Sequence, residues 1–140
     1  MKSHMKTLFA GAALLAMGGV ALAHHSFAMF DQEHPIDLVG TVKEWKYTAP
    51  HAFIILEVKE QDGTSQVWSL EGGAPSGLIR DGWTSKTLKP GDEIKMRIAP
   101  LRSGAPGGAF ATDQISFRDG RVLDVSHRTV GFPESSDVSR

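Results

Sequence analysis

Two β-branched runs, "HAFIILEVKE" and "SQVWSLE", flank the short segment "QDGTS", and this constrains the fold more than any other feature of the chain. Asp62-Gly63 suits a tight primed turn, whose central residues need positive φ. The two runs therefore read as a β-hairpin. A strand ahead of it is expected in "IDLVGTVKEWKYT", where Val39, Thr41, Val42, Trp45 and Tyr47 favour extended backbone. Gly40 marks a bend or bulge in that strand.

Beyond the hairpin the character changes. In "APSGLIRDGW", Pro75 can open a short helical turn and Gly82 can end it, with Leu78 and Ile79 covering a core edge. The segment "EIKMRIA" then alternates Ile94, Met96 and Ile98 with Glu93, Lys95 and Arg97, the period of a half-buried antiparallel strand. "LRSGAPGG" reads as a glycine-rich loop, and "FATDQISF" and "RVLDVS" as two more strands joined at Asp119-Gly120. Trp68 and Leu70 share one strand face, which favours the core for Trp68.

Three strands, a helical piece and two or three further strands describe an all-β fold. The expected architecture is a small five- to six-stranded Greek-key barrel of the oligonucleotide/oligosaccharide-binding (OB) type. A bend at Gly40 fits it, because the first strand must join both halves of the barrel. A β-sandwich is the alternative.

The N-terminus reads as a secretory signal. Lys2 and Lys6 precede the apolar "LFAGAALLAMGGVAL", and Ala21-Leu22-Ala23 has the small-residue cleavage pattern. The apolar run is short for a membrane span, which needs about 20 residues. Expected boundaries are therefore a signal at 1–23, an irregular arm at 24–35, a barrel at 36–126 and a polar tail at 127–140. The mature protein would be periplasmic, without a stable membrane anchor.

Removing 23 of 140 residues leaves 117, a single-domain length. The leader takes two of the 15 basic residues and none of the 16 acidic ones, so the mature charge is −3 with histidines neutral. That balance argues against nucleic acid, whose phosphates call for a basic face. With no cysteine in the chain, a packed core has to hold the fold.

Cleavage after Ala23 would expose His24-His25. A free α-amine and the ring Nδ1 of His24 can chelate Cu(II), the arrangement known as a histidine brace. Alternatively, His25 can offer its ring with the amine and the intervening amide. Imidazole suits copper, which binds tightest in the divalent series. His34, His51 and Asp31 are further candidate ligands, and copper is the cofactor this terminus suits. The bland reading is an exposed terminus that takes up stray metal. His51, after Pro50, belongs at a strand start on the barrel rim.

Trp45 and Trp83 are candidates for stacking on a flat ligand, and Glu71, Arg80 and Asp81 for gripping a polar one. Each has a structural alternative, as a core plug or as a loop-bracing ion pair. "SGAPGG" lacks the lysine and hydroxyl of a phosphate loop. No Gly-x-Ser-x-Gly elbow, cysteine nucleophile or zinc-protease histidine pair is present, so no enzyme is expected. A catalytic reading would need a cleft gathering two or more of His24, His51, Glu71 and Asp81.

The segments "HHSFAMFD", "GTVKEW", "PHAFI", "DG", "VWSLE", "LIRDGW", "LKPGDEI" and "DGRVL" occur in the order of a family of small exported bacterial proteins classed as a domain of unknown function. The chain resembles that family from His24 to about Leu123. The resemblance implies a periplasmic single-domain β-barrel and draws attention to His24, His25, Phe30, Asp31, His51, Trp68, Glu71, Arg80, Gly82 and Trp83. The family pattern reads Asn-Pro-His where this chain has Ala49-Pro50-His51.

The expected function is a periplasmic binding or accessory module for a small molecule, a metal ion or an envelope protein, the metal being copper at the mature terminus. The alternative is a structural or interaction module without metal, for which an exposed apolar patch around Trp83 or Phe53 is expected.

Overall fold

A computed structural model describes residues 27–121 and Leu123. Five strands form one closed barrel: β1 (Ile36–Lys46), β2 (Phe53–Lys59), β3 (Ser65–Glu71), β4 (Glu93–Pro100) and β5 (Gly107–Phe117). Their order around the barrel is β1-β2-β3-β5-β4, closing back on β1. This is the expected OB-type barrel, and closure of a single sheet excludes the sandwich.

β1 does the bending. Its first half pairs with β4 from Ile36↔Ile98 to Thr41↔Glu93, and its second half pairs with β2 from Thr41↔Glu57 to Lys46↔Phe53. The changeover falls at Gly40 and Thr41, and the register shifts between Val42 and Glu44. A Cβ on Gly40 would lie 2.6 Å from the Glu57 carbonyl oxygen, so only glycine allows this approach.

The hairpin β2–β3 turns at Asp62-Gly63 as expected, but through the longer loop Glu60 to Thr64 rather than a tight primed turn, because only Gly63, and not Asp62, takes positive φ. Gly63 has φ of 86° and the Asp62 carboxylate accepts from the Thr64 amide at 2.9 Å. Strand alternation fills the barrel: Ile54, Leu56, Leu70, Ile94, Met96 and Ile98 are almost wholly buried. Each such side chain contributes about 1.5–3 kcal/mol by leaving water. Trp68 packs on this core from the β3 side as expected, with its indole N–H buried and unpartnered among the described residues.

Between β3 and β4 the chain forms α1 (Pro75–Leu78) and a 3₁₀ turn (Ile79–Asp81), which plug one end of the barrel. Pro75 stands in the first turn, and Gly82 ends the segment with φ of 80°. Leu78, Trp83 and Leu88 drop from this connection into the core.

β1 ends at Lys46, short of the expected Tyr47-Thr48, and two further strand boundaries differ from expectation. β2 starts at Phe53 rather than His51, because Ala52 pairs outside the ladder, donating to the Gly73 carbonyl and accepting from the Gly72 amide. The glycine-rich loop is shorter than expected, because Gly107 and Gly108 belong to β5. These residues pair in parallel with Ser69 and Leu70 of β3, while Gly108 also faces Pro100 of β4. A Cβ on Gly108 would lie 2.6 Å from the Ala99 carbonyl oxygen, so the two glycines let three strands meet and close the barrel. Of the expected last strand, Arg121 and Leu123 are described and lie outside any strand; the rest falls outside the described residues.

Candidate functional site

A cleft of about 500 Å³ lies where the β3 end, α1 and the start of β5 converge. Its floor is apolar: Leu78 of α1, and Phe110 and Ala111 of β5. Gly72 makes room for that floor, since the Phe110 ring occupies the space where a side chain would stand. One wall is polar. His51 and Glu71 are brought side by side by the Ala52–Gly72 backbone pairing, and the His51 Nδ1 contacts the Glu71 carboxylate.

A second stretch of the lining carries Arg80 and Asp81 from the 3₁₀ turn. The Thr112 hydroxyl donates to Asp81 at 3.3 Å, while Thr112's carbonyl accepts from the Trp83 indole at 3.1 Å. Arg80 makes no ion pair among the described residues. Tyr47 holds this stretch in place, its hydroxyl lying 3.0 Å from both the Pro75 and the Trp83 carbonyl oxygens.

The N-terminal arm forms the mouth. Phe30 is buried and bridges to Leu101, Asp31 donates its amide to the Pro100 carbonyl at 2.8 Å, and Arg102 donates to that of Met29 at 2.9 Å. These bonds pin the arm to the end of β4 and place Phe27, Phe30 and Gln32 on the cleft. From Phe27 onward the arm is thus anchored, although its sequence has no strand or helix period.

The residues singled out in the sequence divide into several groups. His51, Glu71, Arg80 and Asp81 share the cleft. This meets the minimum set by the catalytic reading.

Trp83 does not line the cleft. It is fully buried beneath it, stacked against Phe110 at 5.3 Å between ring centroids, so it is a core residue rather than a platform for ligand. Trp45 is half-buried against Trp83 and Tyr47, with its N–H donating to the Thr84 carbonyl at 2.9 Å. That contact fastens β1 to the connection after the 3₁₀ turn.

His34 does not line the cleft that holds His51. The His34 Nδ1 lies 3.1 Å from the Asp31 carboxylate, and Asp31, Glu33 and His34 are the one set of three such side chains among the described residues whose ligand atoms all lie within 4.8 Å of one another. The Asp31 carboxyl is held below the usual carboxylate range, first by the His34 hydrogen bond and then by the charge of Arg102. His24 and His25 lie outside the described residues.

Phe110, Thr112 and Gln32 are cleft residues that sequence reasoning passed over. For Phe110 a signal existed at Gly72, where the missing side chain leaves room for a ring from a neighbouring strand.

The sequence profile of a family of unknown function (DUF6152) matches residues 12–111, and the chain belongs to that family. No curated protein matches significantly. Among solved structures, the chain is similar to a mitochondrial single-stranded DNA binding protein from S. cerevisiae, Rim1. That similarity has 8% identity and a TM-score of 0.46, covering 61% of this chain and 93% of the other.

Proposed function

We propose that this member of the family is an exported, periplasmic binding module, without catalysis of its own, whose ligand is Cu(II) held between the mature N-terminus and the cleft wall. The observation that carries the reading is that Phe27 lines the same cleft as His51. Chain connectivity limits how far the expected terminus can stand from it. Three residues span at most about 11 Å and two about 7 Å, so His24 and His25 are within reach of the mouth.

His51 is suited to receive them. An imidazole that binds metal commonly has a carboxylate at its other nitrogen, and Glu71 contacts the His51 Nδ1. In this reading the amine and ring of His24 form the chelate and His51 completes the set. His25 competes for the same amine in the alternative mode, and His34, paired with Asp31, stands outside the site. The mature charge of −3 supports a cationic ligand over a nucleic acid.

The test is Cu(II) titration of protein processed in cells, its terminus verified by mass, with electron paramagnetic resonance. The expected result is one tightly bound equivalent with a nitrogen-rich signal. One added residue before His24 should weaken it by about tenfold or more, roughly 1.4 kcal/mol. Equal affinity with the added residue would end this reading.

A second reading, an interaction module of the envelope, has its own observation. It cannot use a patch at Trp83, which is buried, and Phe53 is half-buried. Exposed apolar side chains lie instead at Phe27 and Ile79, beside the cleft. Metal-independent capture of an envelope protein, lost in Phe27→Ser and Ile79→Ser, would favour it.

A further inference from the structure

We infer that Glu71 is the positioning residue of the cleft: it fixes His51 in the tautomer that leaves Nε2 as a bare acceptor for whatever the cleft binds. The copper reading gives this a use, but the inference concerns the protein alone and stands or falls separately.

The geometry carries it. Glu71 is the last residue of β3, held between Phe53 of β2 and Ala109 of β5 by the backbone ladders on both sides. Its carboxylate is therefore a fixed point, 26% exposed. His51 lies two residues before β2, with Ala52 locked by its bonds to Gly72 and Gly73. The two side chains meet through Nδ1 and the Glu71 carboxylate.

A carboxylate only accepts, so in the neutral ring the proton must sit on Nδ1. What the ring, 42% exposed, then offers the cleft is the Nε2 lone pair. An unassisted histidine can hold its proton on either nitrogen, whereas this one has no choice while Glu71 is in place. Such a nitrogen suits a metal ion or a hydrogen-bond donor and disfavours a ligand atom that only accepts. Arg80 and the Asp81–Thr112 pair line the same cleft, so it offers an acceptor and a cation together.

The experiment is long-range ¹H–¹⁵N correlation of His51 in the metal-free protein at pH 8.5, comparing wild type with Glu71→Ala and Glu71→Gln. The wild type is expected to show the Nδ1–H tautomer. Glu71→Ala should move it toward Nε2–H, while Glu71→Gln, whose amide oxygen still accepts, should keep it. An Nε2–H ring in the wild type, or an unchanged tautomer in a folded Glu71→Ala protein, overturns the inference.

Cu(II) affinity is the second readout, with Glu71→Ala expected to lose about 10–100-fold. If the wild type binds no copper yet shows a Glu71-dependent Nδ1–H tautomer, the copper reading fails and this one survives. If the wild type binds copper through His51 and the tautomer ignores Glu71, the reverse holds.

Discussion

Replacing Gly72 with alanine tests the packing under the cleft. A Cβ at this position would lie 2.5 Å from Phe110 Cε1 and closer still to Cζ. Carbon atoms pack at about 3.5–4.0 Å, so the ring has to retreat by roughly 1 Å or more. Its retreat into the core is blocked by Trp83 at 5.3 Å and Trp45 at 6.4 Å between centroids. Overpacking of this kind costs about 1–3 kcal/mol. For a domain of this size that corresponds to a fall in Tm of roughly 4–15 °C.

The neighbouring Gly73 provides the control. A Cβ there would meet Leu78 at an ordinary 3.9 Å and φ is not positive, so Gly73→Ala should leave Tm unchanged or slightly raised. The assay is thermal unfolding followed by circular dichroism. Gly72→Ala combined with Phe110→Leu should cost less than the two changes summed, since the smaller side chain removes the clash. Equal melting of Gly72→Ala and Gly73→Ala would refute the reasoning.

Further expectations concern the bonds that hold the cleft walls. Tyr47→Phe should cost about 0.5–1.5 kcal/mol and speed amide exchange at Leu78 and Trp83, because it frees the segment carrying Arg80 and Asp81. Trp83→Phe should destabilise more than Trp68→Phe in denaturant titrations: the first breaks a buried bond to Thr112, the second removes a donor that has no partner among the described residues. The Asp37 carboxyl is held below its usual range, first by the Arg97 hydrogen bond and then by Lys95, against the opposing effect of burial. Its stabilising effect is therefore present above the unfolded value of about 3.9 and is lost as pH falls through the lower folded value. Asp37→Asn should lower stability at pH 7 and narrow its gap to wild type in that acid range, measured by urea unfolding.

Local features were legible because their causes are local. Asp62-Gly63 makes a turn wherever it stands between two strands, Ile94, Met96 and Ile98 alternate whatever they face, and Pro75 and Gly82 bracket one helical segment. Those signals gave the barrel's elements and, through Gly40, its bend. The fate of Trp83 was not legible, because a tryptophan beside a charged turn reads equally as platform or plug. Its burial depends on Phe110 and Thr112, nearly thirty residues away. Gly107-Gly108 likewise reads as loop until β3, β4 and β5 are seen to meet there.

The sequence by itself determined the central stretches of the five strands, the place of the hairpin turn at Asp62-Gly63, and that the chain resembles an exported family. The tertiary structure alone decided that Phe27, His51, Glu71, Arg80 and Thr112 share one cleft and that His34 pairs with Asp31 outside its lining. Hydrophobic period and turn chemistry act over a few residues. The cleft exists only because closing the barrel brings the end of β3 alongside the start of β5, a contact between residues almost forty positions apart.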